Sequence, residues 1–244
     1  MAEYKVEKKK IVFNADFKPS VDFFPKQYDL IKKYDEDFAN WELSGTSFTV
    51  QDKTDHCSAT VTHKRIIFEL DDANSKVDLA KERISKILRL YSESLPIESF
   101  LRLGVRFFMF VPMQEIKKEE LADIIQAKLF ANNEELNEIL SEKLNDLAYI
   151  RDYSKDGFLY HLKCGPMPRE HVPTWVDFGE NKHRFETTKE FRSYLDSFPE
   201  ISIFFDMDCY KSDVVFGDAD SFLTKAFDNC LQTASKLKKY ILGA

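Results

Sequence analysis

The amino-acid sequence predicts an α+β fold of antiparallel sheet with helices packed on one face, and the order of its elements reads as two diverged copies of one α+β unit. Three observations predict it. Short runs of alternating apolar and polar residues, the period of half-buried strands, recur in both halves. Amphipathic helical patterns follow them over residues 77–94 and about 219–242. Two strands carry opposite charge: residues 100–111 set Arg102, Gly104 and Arg106 on one face, and residues 201–210 set Asp206 and Asp208 on one face.

Residues 10–17 read as the first strand, stopped by Pro19. Residues 21–41 hold Phe23, Phe24, Tyr28, Ile31, Tyr34, Phe38 and Trp41 at mixed spacings of three, four and seven, which predicts a short helix after Pro25 that plugs the end of a sheet. Three alternating runs, SFTVQ, HCSATVTH and KRIIFEL, are separated by turn residues at 52–55 and near His63 and Lys64, so an antiparallel meander is expected. The helix over 77–94 buries Ala80, Ile84, Ile87, Leu88 and Tyr91, and Pro96 ends it. In the strand that follows, Leu101, Leu103, Val105, Phe107, Met109 and Val111 share the core face.

Residues 117–145 read as a helical insertion in two pieces, with Glu119, Glu120, Glu134, Glu135, Glu138 and Glu142 opposite its apolar faces. The second half repeats the grammar: a hairpin turning at 154–157, a helix over 187–198, the aspartate strand and a long terminal helix with Phe222, Ala226, Phe227, Cys230 and Ala234 on its buried stripe. The chain therefore divides into an N-terminal α+β half (1–113), a helical insertion (114–145) and a C-terminal α+β half (146–244) of one compact body. Residues 165–186 lack periodicity and read as a long loop, in which Trp175 is flanked by Arg169, His171, Lys182, His183 and Arg184. A long loop in a compact domain is usually a binding element, and the tryptophan points to docking.

Composition narrows the function. A net charge of −7 argues against a protein whose main ligand is a phosphate backbone. No apolar run approaches the length of a membrane span and no leader is evident, so a cytoplasmic protein without membrane association is expected. Cys57, Cys164, Cys209 and Cys230 form no CxxC pair and read as reduced thiols. Seven glycines compose neither GxGxxG nor a P-loop, which excludes the familiar nucleotide-dependent enzymes. No cofactor, catalytic set or complete metal set is read.

The segment FLRLGVRFFMF, with FFDMDCY and the terminal helix, resembles a sporadically distributed, largely uncharacterised bacterial family that carries an arginine-x-glycine-x-arginine-aromatic strand and a later aspartate-x-aspartate strand. The resemblance implies the fold over most of the chain and an accessory or defence-type bacterial locus, and no catalytic role.

Three functions remain. The first is a non-enzymatic interaction subunit with a protein partner, using Trp175, Arg169 and His171 or the acidic Glu134, Glu135 and Glu138. The second is a metal-dependent phosphodiester or phosphoryl enzyme built on Asp206 and Asp208, which needs a further carboxylate such as Glu69 or Asp152. The third is an anion or small-ligand binder using Arg102 and Arg106. Should the two charged strands be neighbours, the arginines neutralise the aspartates instead.

Overall fold

The structure, a computed structural model, describes residues 5–34, 38–130, 147–175 and 188–243. The N-terminal half runs β1 (Glu7–Phe17), α1 (Phe23–Tyr34), β2 (Asn40–Leu43), β3 (Ser47–Asp52), β4 (Cys57–Thr62), β5 (Arg65–Asp71) and α2 (Val77–Ser94). Grouped by the sheet order, β6 goes with the later strands and not with residues 1–113 as the sequence division has it, so the C-terminal half runs β6 (Ser99–Pro112), α3 (Lys118–Leu129), β7 (Tyr149–Lys155), β8 (Phe158–Pro168), the short α4 (Val172–Trp175), α5 (Thr188–Asp196), β9 (Ile201–Val215) and α6 (Ala219–Leu242). All pair antiparallel in one nine-stranded sheet, in the order β2-β3-β4-β5-β1-β6-β9-β8-β7. The two halves meet at the β1–β6 seam. Outward from it each half takes the same course, first strand, last strand, then the two strands before the last, and the N-terminal half adds β2 outside them.

Side-chain alternation decides which face is buried. Ile11, Phe13, Ala15 and Phe17 of β1, Leu103, Val105, Phe107 and Met109 of β6, and Ile203, Phe205, Met207 and Cys209 of β9 all point to one side and join the main core. Helices α1, α2, α3 and α6 close that side with the stripes their periodicity predicts, and each fully buried large side chain contributes about 1.5–3 kcal/mol. Phe107 meets Phe227 of α6 edge to face at 5.1 Å. Gly243 ends α6 with φ 69°, the left-handed cap that a side chain disfavours.

Several local expectations change. Helix α1 starts at Phe23, so Pro25 lies in its first turn, where its missing N–H leaves no helical bond unmade. Pairing passes from Asp16 opposite Arg102 to Phe17 opposite Phe100, a shift that skips Leu101. Phe100 therefore takes the core position, and Leu101 is 46% exposed.

The expected loop at 165–186 begins later. Residues 165–168 continue β8 against β9, a 3-10 turn at Arg169–His171 follows, and Trp175 closes α4. The 176–187 part, with Lys182, His183 and Arg184, lies outside the described residues, as does the side chain of Trp175. So do Glu134, Glu135, Glu138 and Glu142 of the insertion. Helix α5 packs on the opposite face from the other long helices, where Tyr194 and Phe198 cover Phe108, Phe110 and Phe204 in a second, smaller core.

Candidate functional site

Beyond the end covered by α5, the second face of the sheet carries no helix among the described residues. Its side chains line up in rows across the strands. One row runs Thr49, Thr60, Ile67, Asn14, Gly104, Tyr210 and Leu159. The next runs Gln51, Ser58, Glu69, Val12, Arg106, Asp208, His161 and Asp152. The charged strands β6 and β9 are neighbours near the middle of this face.

Their charges pair diagonally. In register Arg106 lies opposite Asp208 and Arg102 opposite Ser212. Yet Arg106 donates from Nε and Nη2 to the two carboxylate oxygens of Asp206, at 2.7 and 2.6 Å, and Arg102 donates from Nη2 to Asp208 Oδ2 at 2.7 Å. The forked Arg106–Asp206 pair is the stronger geometry, and it holds the more buried carboxylate. Each guanidinium also rests on a ring: Arg102 lies 4.5 Å from the centroid of Tyr210, and Arg106 lies 4.7 Å from that of Phe108.

Gly104 makes the lower pair possible. A Cβ there would stand 3.0 Å from Cβ of Tyr210 and 3.3 Å from Nη1 of Arg102. Its bare backbone lets Arg102 lie flat along the strand and reach Asp208 past a residue that would otherwise lift it. The arginine-x-glycine-x-arginine spacing thus has a steric reason.

Burial pushes the Asp208 carboxyl above its usual range, and Arg102 and Arg106 oppose that rise while the neighbouring Asp206 adds to it. Next to it in register, His161 shares a 2.7 Å contact between Nδ1 and Oδ1 of Asp152. Cys164, three residues on, faces the opposite side, and burial raises its thiol. Offset three on a strand separates His161 and Cys164 as side-chain alternation requires.

On the N-terminal side of the seam the same face is held mainly by short polar contacts. The hydroxyls of Thr49 and Thr60 are 3.0 Å apart, and Asn14 donates to Asp16 at 3.2 Å while Arg65 pairs with Asp16. At the end near α5, fully buried Lys10 lies 2.8 Å from Glu69 and 3.9 Å from Asp71. Sequence reasoning did not find this cluster. Its signal was present, because Lys10, Glu69 and Asp71 each take a polar position in strands whose other face is wholly apolar.

Of the two carboxylates offered for metal chemistry, Asp206 accepts with both oxygens and Asp208 with Oδ2 from guanidinium groups. The further carboxylates considered, Glu69 and Asp152, reach Lys10 and His161 instead. Among the described residues no group of three or more His, Cys, Asp or Glu is placed to hold a metal ion. Arg169 serves the fold: its Nε donates to the Phe198 carbonyl at 2.6 Å and its backbone N–H to that of Glu200 at 3.0 Å. His171 is half-buried in the adjoining turn.

No protein-family model matches the chain, and no curated protein matches it. A solved structure described as Methanococcus jannaschii TBP aligns over 98% of this chain and 99% of its own length, at 9% sequence identity and a TM-score of 0.33. A likeness of that size carries nothing for fold or function.

Proposed function

We propose that the protein is a non-enzymatic interaction subunit that docks a protein partner on the open face of its sheet. The observation that carries this reading is the charge balance at the centre of that face: each central carboxylate is matched by a guanidinium that is itself part-exposed, 31% for Arg102 and 43% for Arg106. Paired charges at fixed positions suit recognition, since they set register and exclude wrongly charged partners at little cost in net affinity. Catalysis favours the opposite, a carboxylate or cation left with capacity for a substrate or proton. A small anion would have to displace Asp206 and Asp208 from the arginines, and a metal ion would have to displace the arginines from the aspartates. Both alternatives begin by breaking the best-formed contacts of the face.

The resemblance to an accessory bacterial family fits a subunit of this kind, and we include in the proposal that the two halves are diverged copies of one unit. The test is quantitative affinity purification of the tagged protein from its native host, comparing wild type with Thr60→Arg and with Ile67→Arg. Both positions are half-exposed on the open face and distant in the sheet order from the Arg–Asp pairs. A stoichiometric partner that both variants lose, with unchanged melting temperatures, supports the reading. A partner retained by both variants removes the open face, and a monodisperse protein without any partner removes the interaction subunit.

A further inference from the structure

On the helix side of the sheet, the outermost strand β7 reaches past the helices that cover its neighbours. Between β7, the end of α3 and the last turns of α6 lies a groove of about 630 Å³, floored by Tyr149, Tyr153, Leu237 and Tyr240. A second lobe of about 330 Å³ continues it toward Tyr160 and Asn229, sharing Tyr153, Lys155 and Tyr240. Lys128, Arg151 and Lys155 stand around the larger lobe and Lys236 around the smaller, and among the described residues no aspartate or glutamate lines either. This is the reverse of the chain as a whole, which has 42 acidic residues against 35 basic ones.

The ring arrangement is specific. Tyr153 and Tyr160 stack in parallel, 4.7 Å between centroids and 6° between planes, and Asn229 donates to the Tyr160 hydroxyl at 2.8 Å. Tyr160 covers one face of the Tyr153 ring, and Tyr153 without Tyr160 lines the larger lobe. A third flat ring placed there would extend the stack at the spacing aromatic pairs prefer. Arg151 and Lys155 leave β7 on the same side as Tyr153, so a negative group on that ring would meet two cations. The volume is that of a small-molecule site, for which roughly 300–1,000 Å³ is usual.

We propose that this groove binds a flat aromatic anion, a ring bearing a carboxylate, sulfonate or phosphate. The site is separate from the open face and does not depend on the docking reading. The test uses anilinonaphthalene sulfonate as the anionic probe and phenylnaphthylamine as its uncharged counterpart, titrated by fluorescence into the full chain. Two variants complete it: Thr233→Trp, which fills the groove from α6, and Lys155→Glu, at an exposed rim position whose melting curve should be unchanged.

The expected result is saturable one-to-one binding of the sulfonate. It should weaken with salt, be lost in Thr233→Trp, and fall roughly tenfold in Lys155→Glu, the effect of one charged contact. The uncharged probe should bind less tightly and ignore Lys155→Glu. Failure of the sulfonate to saturate, equal binding of both probes, or sulfonate binding that survives Thr233→Trp would each overturn the proposal. Should Thr233→Trp unfold the protein, the salt and Lys155→Glu responses decide alone.

Discussion

Beyond the β1–β6 seam the two halves share an order of four strands, to which the N-terminal half adds β2, and hold it by different means. In the N-terminal half α1 lies over the sheet margin, and Phe23, Tyr34 and Phe48 pack ring against ring beneath it. Its open face joins hydroxyl and amide contacts to the Arg65–Asp16 pair and, near α5, to the fully buried Lys10 beside Glu69 and Asp71. In the C-terminal half the end of α3 meets β7 through Phe130 on Tyr149 and borders a groove, while the open face is braced by two arginine–aspartate pairs. One topology can thus bury its charges in a closed cluster at the α5 end or set them as part-exposed pairs at the middle of the face. The buried cluster costs more desolvation, and the forked pair gives the more directional contact.

The sharpest way to break this comparison is to remove one partner of the buried pair. Asp206→Ala should cost about 2–3 kcal/mol in guanidinium unfolding, at the low end for a broken buried ion pair because Arg106 can rehydrate. Thr60→Val, which removes a hydroxyl contact of the N-terminal side, should stay within about 0.5 kcal/mol. Equal costs would mean that the charges do not brace the C-terminal half.

Next in size is Gly104→Ala. Its new methyl would crowd Cβ of Tyr210 and lift Arg102, for a loss of about 1–3 kcal/mol. Gly45→Ala is the control, since nothing lies within 4 Å of the position a Cβ would take. A silent Gly104→Ala, read as an unchanged melting temperature, would leave the glycine without its steric role.

Tyr34→Phe tests the packed half. The Tyr34 hydroxyl, which burial keeps un-ionised, donates to the Ile87 carbonyl at 3.0 Å and ties α1 to α2. Its loss should cost about 1 kcal/mol. Thermal melts of this variant should show no added sensitivity to salt, whereas those of Asp206→Ala should.

The smallest effect is a pH dependence. Folding raises the Asp208 carboxyl, so the folded chain takes up this proton more readily than the unfolded one. Wild type should therefore gain on Asp208→Asn as pH falls through the raised folded value toward the ordinary 3.8, and the difference between them should be flat near neutrality. Urea titrations at pH 7 and pH 4 measure it. A gap that moves the other way would show that the arginines outweigh burial.

The parts of this architecture that were legible in the sequence are those set by local period. Helix α2 spans residues 77–94 as its apolar repeat and Pro96 indicate, and the alternation of β6 and β9 correctly places Arg102 with Arg106 and Asp206 with Asp208. The four residues of β2 alternate polar and apolar, but so short a run does not stand out, and Trp41 also fits the helical spacing of the aromatics over 21–41. An apolar stripe shows that α5 is buried on one side, and nothing in it states which face of the sheet it meets. The diagonal choice of partners by the arginines depends on register between strands about 100 residues apart, and the groove depends on where α3 stops. Neither leaves a local trace.

The loop expected over 165–186 rests on its lack of periodicity, and its first prolines, Pro166 and Pro168, lie in β8. Strand β7 ends its pairing at Tyr149 opposite Cys164, so among the described residues no strand pairs with β8 on that flank beyond this point. Arg169 donates its backbone N–H to Glu200 on the β9 side, so by alternation the two prolines turn their nitrogens outward. Their outer flank therefore offers no hydrogen to an incoming strand. A second molecule that tried to extend the sheet there, as in fibril growth or strand exchange, would find carbonyls without donors between them, and this stretch of the border is closed to self-templating by its covalent structure alone.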